Sequence, residues 1–64
     1  MTKVRVWYLG DRYHIAIEDV EMPWTPKLDL IAGAAYRASL KGQDPEVAMT
    51  REMERIERME RPSP

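Results

Sequence analysis

The chain has 64 residues, of which 44% are hydrophobic and 33% are charged, and it contains no cysteine. This length accommodates one small domain, and the lack of cysteine excludes disulfides and thiolate metal sites. Ten Lys and Arg residues balance eleven Asp and Glu residues, so the net charge of −1 indicates no global attraction to nucleic acid or to an anionic membrane.

Two segments of alternating polarity predict a β-hairpin at the start of the chain. Strands are expected over 3–9 and 12–20, with a Gly-Asp turn of type II′ between them, because that turn type requires glycine first. The alternation also predicts the register, since a shift by one residue mixes the apolar and polar faces. Lys3 then lies opposite Glu18. The apolar pairs are Tyr8–Tyr13, Val6–Ile15 and Val4–Ile17.

Helix start and stop signals divide the rest of the chain. Thr25 followed by proline is a typical N-cap, and Gly42 is a typical stop. Asp44 followed by proline and glutamate repeats the start, and Arg61 followed by proline repeats the stop. The predicted segments are a linker over 21–25, a helix over 26–41, a helix over 45–61 and a tail over 62–64.

These elements predict an α+β fold of order ββαα, in which the hairpin packs against two antiparallel helices. The apolar stripe of the first helix is rich in alanine, so this helix is expected to approach the sheet or the second helix closely. No third strand is indicated in residues 21–64, so the hairpin edges pair with a second copy or with a foreign strand, or charged residues such as Lys3, Arg5 and Arg12 keep them unpaired. The expected core residues are Val4, Val6, Tyr8, Tyr13, Ile15, Ile17, Leu28, Ile31, Ala35, Met53 and Ile56.

The residue types argue against an enzyme or a metal site. The single histidine, His14, lies in a predicted strand, and Ser39 lies on a helix without a histidine near it in sequence. His14 and Glu18 share a strand face but are separated by about 13 Å, too far to bind one metal ion. We therefore expect no catalytic residue, no metal and no cofactor. A cytoplasmic protein without a membrane partner is expected, because neither a leader nor an apolar segment of ~20 residues is evident.

Four acidic residues form a candidate partner-binding patch. Glu18, Asp19 and Glu21 cluster at the end of the second strand, and Asp29 lies in the first turn of the first helix. An ordinary solvated edge is the simpler interpretation, and the helix dipole alone explains Asp29. Fixed carboxylates also suit a basic protein surface, including one that binds DNA or RNA, because they can occupy the places of phosphates. A larger protein or complex is therefore the expected partner.

Two basic surfaces support the alternative of direct DNA or RNA binding. An aromatic residue among basic ones is typical of base-stacking surfaces. On the outer hairpin face these residues are Lys3, Arg5, Trp7, Arg12 and His14. On the second helix, Arg51, Arg55 and Arg58 follow i, i+4, i+7 spacing and form an arginine ridge. The simpler interpretations are solvated faces, a Trp7–His14 cross-strand pair, and the helical ion pairs Glu54–Arg58 and Glu57–Arg61.

In length, lack of catalytic residues and mixed charged surface, the whole chain resembles the small inhibitors that phages encode, including anti-CRISPR proteins. Those proteins share no common sequence motif, so the resemblance assigns no role to any residue. It implies occlusion of a nucleic-acid-processing complex in the host cytoplasm, by the four acidic residues and the helix glutamates. Extensive mimicry of nucleic acid requires a more negative net charge than the −1 of this chain. Homodimers through a sheet edge or the second helix are a further expectation.

Overall fold

Two tight turns build an antiparallel sheet, and two helices follow it. The computed structural model describes residues 3–60. The α+β architecture and the order of strands before helices agree with the sequence prediction, with one additional strand. The elements are β1 (Val4–Leu9), β2 (Arg12–Ile17), β3 (Val20–Glu21), α1 (Pro26–Leu40) and α2 (Pro45–Glu60).

The first hairpin has the predicted register and a different turn. Val4 pairs with Ile17, and the pairing continues without a bulge to the turn. Gly10 and Asp11 have φ angles of 63° and 62°. A type II′ turn requires positive φ only at its first central residue, whereas type I′ requires it at both. The predicted type II′ is therefore wrong, and the turn belongs to type I′.

A second turn creates the strand that the sequence did not indicate. β2 ends at Ile17 instead of continuing to residue 20, because Glu18 and Asp19 adopt φ angles of 52° and 65°. The chain reverses there and β3 pairs with β2, so the sheet has the order β1-β2-β3. The predicted second strand was too long, and the linker is correspondingly shorter. The two turn residues are Glu-Asp, whereas such a turn is normally recognised from an Asn-Gly pair.

Both helices begin at their predicted caps. The Thr25 Oγ1 accepts a hydrogen bond from the backbone N–H of Leu28 at 3.0 Å. The Asp44 carboxylate accepts one from the N–H of Glu46 at 2.9 Å. The first helix ends at Leu40, one residue before the prediction, whereas the predicted end at 61 and the tail at 62–64 lie outside the described residues.

α1 lies between the sheet and α2. Its small side chains permit this, since Ala32 and Ala35 are buried against Ile15 of the sheet and Met49 of α2. The ion pair of Lys27 and Glu60, 3.3 Å between Nζ and Oε2, joins the first turn of α1 to the end of α2, so the helices are antiparallel.

The predicted core is wrong at two positions. Tyr8 is 50% exposed because it lies beside the turn on an edge strand, and Met53 is 43% exposed because Met49 and Ile56 occupy the inner face of α2. Ala16 is buried although it lies on the outer hairpin face. Ala16 pairs with Arg5 on β1 and with Glu21 on β3, so longer side chains flank it on that face. The other predicted core residues are buried or partly buried: Val4, Val6, Tyr13, Ile15, Ile17, Leu28, Ile31, Ala35 and Ile56.

Candidate partner-binding surfaces

The acidic turn and the basic hairpin face, which the sequence presents separately, form one surface. The Asp19 carboxylate lies 3.4 Å from the Lys3 Nζ and 3.5 Å from an Arg5 guanidinium nitrogen. The Glu18 carboxylate accepts a hydrogen bond from the Lys3 backbone N–H at 3.0 Å. The antiparallel register causes this, because it brings Lys3 opposite the start of the β2–β3 turn. We call Lys3, Arg5, Glu18, Asp19 and Glu21 the mixed-charge face.

Trp7 and His14 stack on each other across β1 and β2. Their ring centroids are 5.6 Å apart and their planes differ by 13°. The His14 Nε2 lies 3.2 Å from the Leu9 carbonyl oxygen, to which it can donate, and the Nδ1 lies 3.8 Å from the Glu21 carboxylate. The cross-strand interpretation of His14 is therefore confirmed, and one face of the Trp7 ring is occupied within the chain.

Arg12 lies at the other end of the outer face and contacts Trp24. The guanidinium carbon is 4.0 Å from the centroid of the Trp24 ring, which is cation–π geometry. Each of the five residues of the predicted basic surface thus has an intramolecular contact: Lys3, Arg5, Trp7, Arg12 and His14.

Asp29 lies apart from the other three residues of the predicted acidic patch. Its Oδ1 accepts hydrogen bonds from the Tyr13 backbone N–H at 2.9 Å and from the Trp24 Nε1 at 3.3 Å. The Ile15 carbonyl accepts from Met22, so the backbone groups of Ile15, and of Tyr13 by alternation, point towards β3. Asp29 thus caps the edge of β2 where β3 has already ended. Tyr13 is about 13 Å along the strand from the acidic turn.

The end of the sheet next to Asp29 is lined by aromatic rings. The Tyr13 ring packs between those of Tyr8 and Tyr36, at centroid distances of 4.9 and 5.5 Å. The Tyr8 hydroxyl donates to the Asp11 carboxylate at 3.3 Å. Partial desolvation and then the negative charge of Asp11 raise the pKa of the Tyr8 hydroxyl above its ordinary value.

The arginine ridge contains residues of two kinds. Arg55 forms an ion pair with Glu52, and its guanidinium contacts the Met59 sulfur at 3.2 Å. Arg58 donates to the backbone carbonyl of Glu54 at 3.4 Å, in place of the predicted ion pair with that side chain. Within residues 3–60, neither Arg51 nor Arg58 has a carboxylate oxygen within 4.0 Å. The predicted Glu57–Arg61 pair lies outside the described residues.

Shallow depressions surround Arg51 on α2. One of them lies between the two helices, where Ala34 and Ala48 form the floor and Arg51, Glu52 and Arg55 the walls. A second depression continues along α2 past Val47. These depressions are open to solvent, and they leave the Arg51 guanidinium accessible beside an apolar floor.

The open edge of the sheet is β1. Among residues 3–60, no strand pairs with its outer side over Val4–Leu9. The opposite edge is formed by β3, which has two residues and is followed by Met22 and Pro23. Short length and proline both disfavour pairing at that edge.

Comparison with protein-family models, with curated proteins and with solved structures finds no match to this chain. Across the described residues, no group of three or more His, Asp or Glu side chains is placed to bind a metal ion. Neither α1 nor α2 combines the length and the apolar character needed to cross a membrane.

Proposed function

We propose that this chain is a non-enzymatic binding protein that occludes a surface of a larger protein or complex through its mixed-charge face. In this proposal it acts in the cytoplasm of a host cell as a phage-type inhibitor, of the anti-CRISPR kind, and its partner processes nucleic acid. Asp29 belongs to the acidic patch predicted from the sequence, but in this proposal it stabilises the fold. Glu18, Asp19 and Glu21 are the acidic residues that contact the partner.

The observation that carries the proposal is the conformation of the β2–β3 turn. Glu18 and Asp19 both have positive φ, a region that is uncommon for glutamate and that Asn-Gly occupies with little strain. Residues kept in such conformations cluster at functional sites. This turn therefore presents two carboxylates at the cost of local strain, which supports a role for them in recognition.

The mixture of charges favours a protein partner over a polyanion. Phosphates attracted to Lys3 or Arg5 meet the Asp19 carboxylate, which lies within 3.5 Å of both cations. A protein surface with charges of both signs can be complementary to this face, and such complementarity determines specificity and orientation. The internal pairs do not prevent docking, since exposed ion pairs contribute only about 0–1 kcal/mol and exchange readily for partner contacts.

Affinity capture from the host lysate, followed by mass spectrometry, tests this proposal. The informative variant is Glu18→Asn with Asp19→Gly, which keeps the turn type and removes both carboxylates. Glu57→Gln, which removes one carboxylate from α2, is the control. We expect the wild type and the control to capture the same nucleic-acid-processing complex and the turn variant to lose it. Equal capture by the turn variant contradicts the assignment to this face, and a partner of another class contradicts the inhibitor proposal.

A second candidate function, nucleic-acid binding, is favoured at the arginine ridge by one observation. Arg51 and Arg58 lack carboxylate partners within residues 3–60, whereas Lys3 and Arg5 share Asp19. A gel-shift titration at low and moderate salt tests it, because phosphate contacts weaken steeply with salt. A gel shift of the nucleic acid that is lost in the double variant Arg51→Gln with Arg58→Gln supports binding by the arginine ridge. No retention at low salt excludes it.

A further inference from the structure

The backbone of β1 presents unpaired hydrogen-bonding groups at the open edge of the sheet. The N–H of Glu18 donates to the Lys3 carbonyl at 2.8 Å, so the backbone groups of Lys3 point towards β2. By the alternation of an antiparallel ladder, those of Val4, Val6 and Tyr8 point away from β2. Each of these three residues thus exposes one N–H and one C=O to solvent in a straight row without a bulge or a proline.

We propose that β1 pairs in antiparallel orientation with β1 of a second copy, in a register centred on Val6. Val6 then lies opposite Val6 of the second copy, and Val4 lies opposite Tyr8. The two three-stranded sheets become one continuous sheet. This inference does not rest on the proposed function, because the unpaired backbone groups of β1 carry it, although Arg5 of the mixed-charge face lies at the seam.

The side chains of β1 select this register over the neighbouring ones. With Val6 at the centre, Arg5 lies opposite Trp7 of the second copy on the outer face, a pair of residue types that attract each other through a cation–π interaction. A register centred on Arg5 places two arginines opposite each other, which is unfavourable. A register centred on Trp7 leaves Val4 outside the ladder. Only the register centred on Val6 pairs all the open backbone groups of Val4, Val6 and Tyr8.

Two further features suit a second copy at this edge. Charged residues normally keep an edge strand unpaired, but here Asp19 compensates both Lys3 and Arg5. On the inner face, Val4 and Val6 are only partly buried and Tyr8 is half exposed. Their pairing with the same side chains of the second copy removes this apolar surface from water. β3 is less suited, because it has two residues, of which only Val20 is apolar and exposed, and it is followed by Met22 and Pro23.

Sedimentation of backbone N-methylated proteins tests the edge. N-methylation of Val6, introduced by chemical synthesis, removes one outward N–H, and N-methylation of Glu21 removes an outward N–H from the opposite edge. We expect the wild-type mass to rise from 7.5 kDa towards twice that value with concentration. N-methyl-Val6 is expected to weaken dimerisation about 30-fold, since two symmetry-related hydrogen bonds are lost. N-methyl-Glu21 is expected to dimerise like the wild type.

Cysteine cross-linking tests the register, since the chain contains no cysteine of its own. Paired strand residues have Cα atoms about 5.5 Å apart, within the range of a disulfide. Val6→Cys is therefore expected to cross-link on oxidation, whereas Val4→Cys is not, because its symmetry mate lies about 13 Å away. A wild type that stays monomeric overturns the proposal, as does dimerisation unaffected by N-methyl-Val6. Cross-linking of Val4→Cys in place of Val6→Cys overturns the register.

Discussion

Removal of the Asp29 carboxylate tests the most specific tertiary contact in this fold. Asp29→Ala leaves the half-buried N–H of Tyr13 without its 2.9 Å acceptor and frees the Trp24 Nε1. A donor left unsatisfied in such a position costs about 1–3 kcal/mol, and loss of an acidic residue from the first helical turn costs about 0.5 kcal/mol. We therefore expect the free energy of unfolding to fall by about 2 kcal/mol.

A loss of this size is large for a chain of 64 residues. A core of this size supplies only about 3–5 kcal/mol of net stability, and 1 kcal/mol shifts the midpoint of thermal unfolding by about 4–8 °C. Asp29→Ala is thus expected to lower the melting temperature by about 8–16 °C in circular dichroism. Asp29→Asn retains a side-chain carbonyl acceptor and is expected to lose less than half as much.

Hydrogen exchange assigns the effect to the contact itself. In the wild type the Tyr13 amide is protected by Asp29, and in Asp29→Ala it should exchange faster than the Ile15 amide, which points towards β3 on the same strand. Equal stabilities of the Ala and Asn variants, or a change below about 0.5 kcal/mol in both, would refute the capping role of the carboxylate.

Three further changes probe the packing and the turns. Gly33→Ala gains helix propensity, but its Cβ meets the Tyr13 ring at 3.3 Å, and that ring is confined by its neighbours; a net loss of about 1 kcal/mol is expected in urea unfolding. Thr25→Ala removes the N-cap of α1 and is expected to cost about 1 kcal/mol in the same assay, whereas Thr25→Ser should be close to neutral. The double substitution Glu18→Asn with Asp19→Gly relieves the backbone strain of two left-handed residues. It is expected to raise the free energy of unfolding by about 1 kcal/mol, or the melting temperature by ~4–8 °C. A lower free energy of unfolding contradicts the strain argument.

The register of the first hairpin and the starts of both helices could be predicted because they depend on local signals. Only one register keeps the apolar residues of both strands on one face, and the structure has that register. Thr25 and Asp44 cap helices through bonds to residues two or three positions away. Signals of this range are complete within a short window of sequence.

β3 and the role of Asp29 could not be predicted, because each depends on the tertiary fold. Glu18 continues the alternation of β2, whereas Asp19 occupies an inner position and Val20 an outer one. This break contains neither Gly nor Asn, so only the left-handed conformation of Glu18 and Asp19 shows that the chain reverses there. Asp29 acts on Tyr13, 16 residues earlier, and the need for it arises only because β3 ends before it reaches that position. From the sequence, Asp29 is explained by its favourable interaction with the helix dipole. Nothing in the sequence indicates that a backbone N–H at the edge of β2 requires an acceptor.

The residues of the candidate site could be picked out from the sequence, but their arrangement could not. Lys3 opposite Glu18 followed from the register, and the backbone bond between them confirms it. That pairing, together with the reversal at the turn, brings Asp19 to Lys3 and Arg5, so the predicted basic and acidic surfaces neutralise each other. The composition indicates only that acidic and basic residues nearly balance over the whole chain. On the sheet, the structure shows that acidic and basic side chains balance through direct contacts. On α2 the ridge is different, because Arg51 has no carboxylate oxygen within 4.0 Å among residues 3–60.

The proposed dimer and the proposed function have a common geometrical consequence. Antiparallel pairing of β1 with itself requires a twofold axis perpendicular to the sheet, so the mixed-charge faces of both copies lie on the same side. A partner with two matching sites then binds both faces, and the second contact forms at a high effective concentration. In that case N-methyl-Val6 weakens capture while leaving every side chain of the mixed-charge face unchanged. Capture that is independent of N-methyl-Val6 shows that a single face is sufficient.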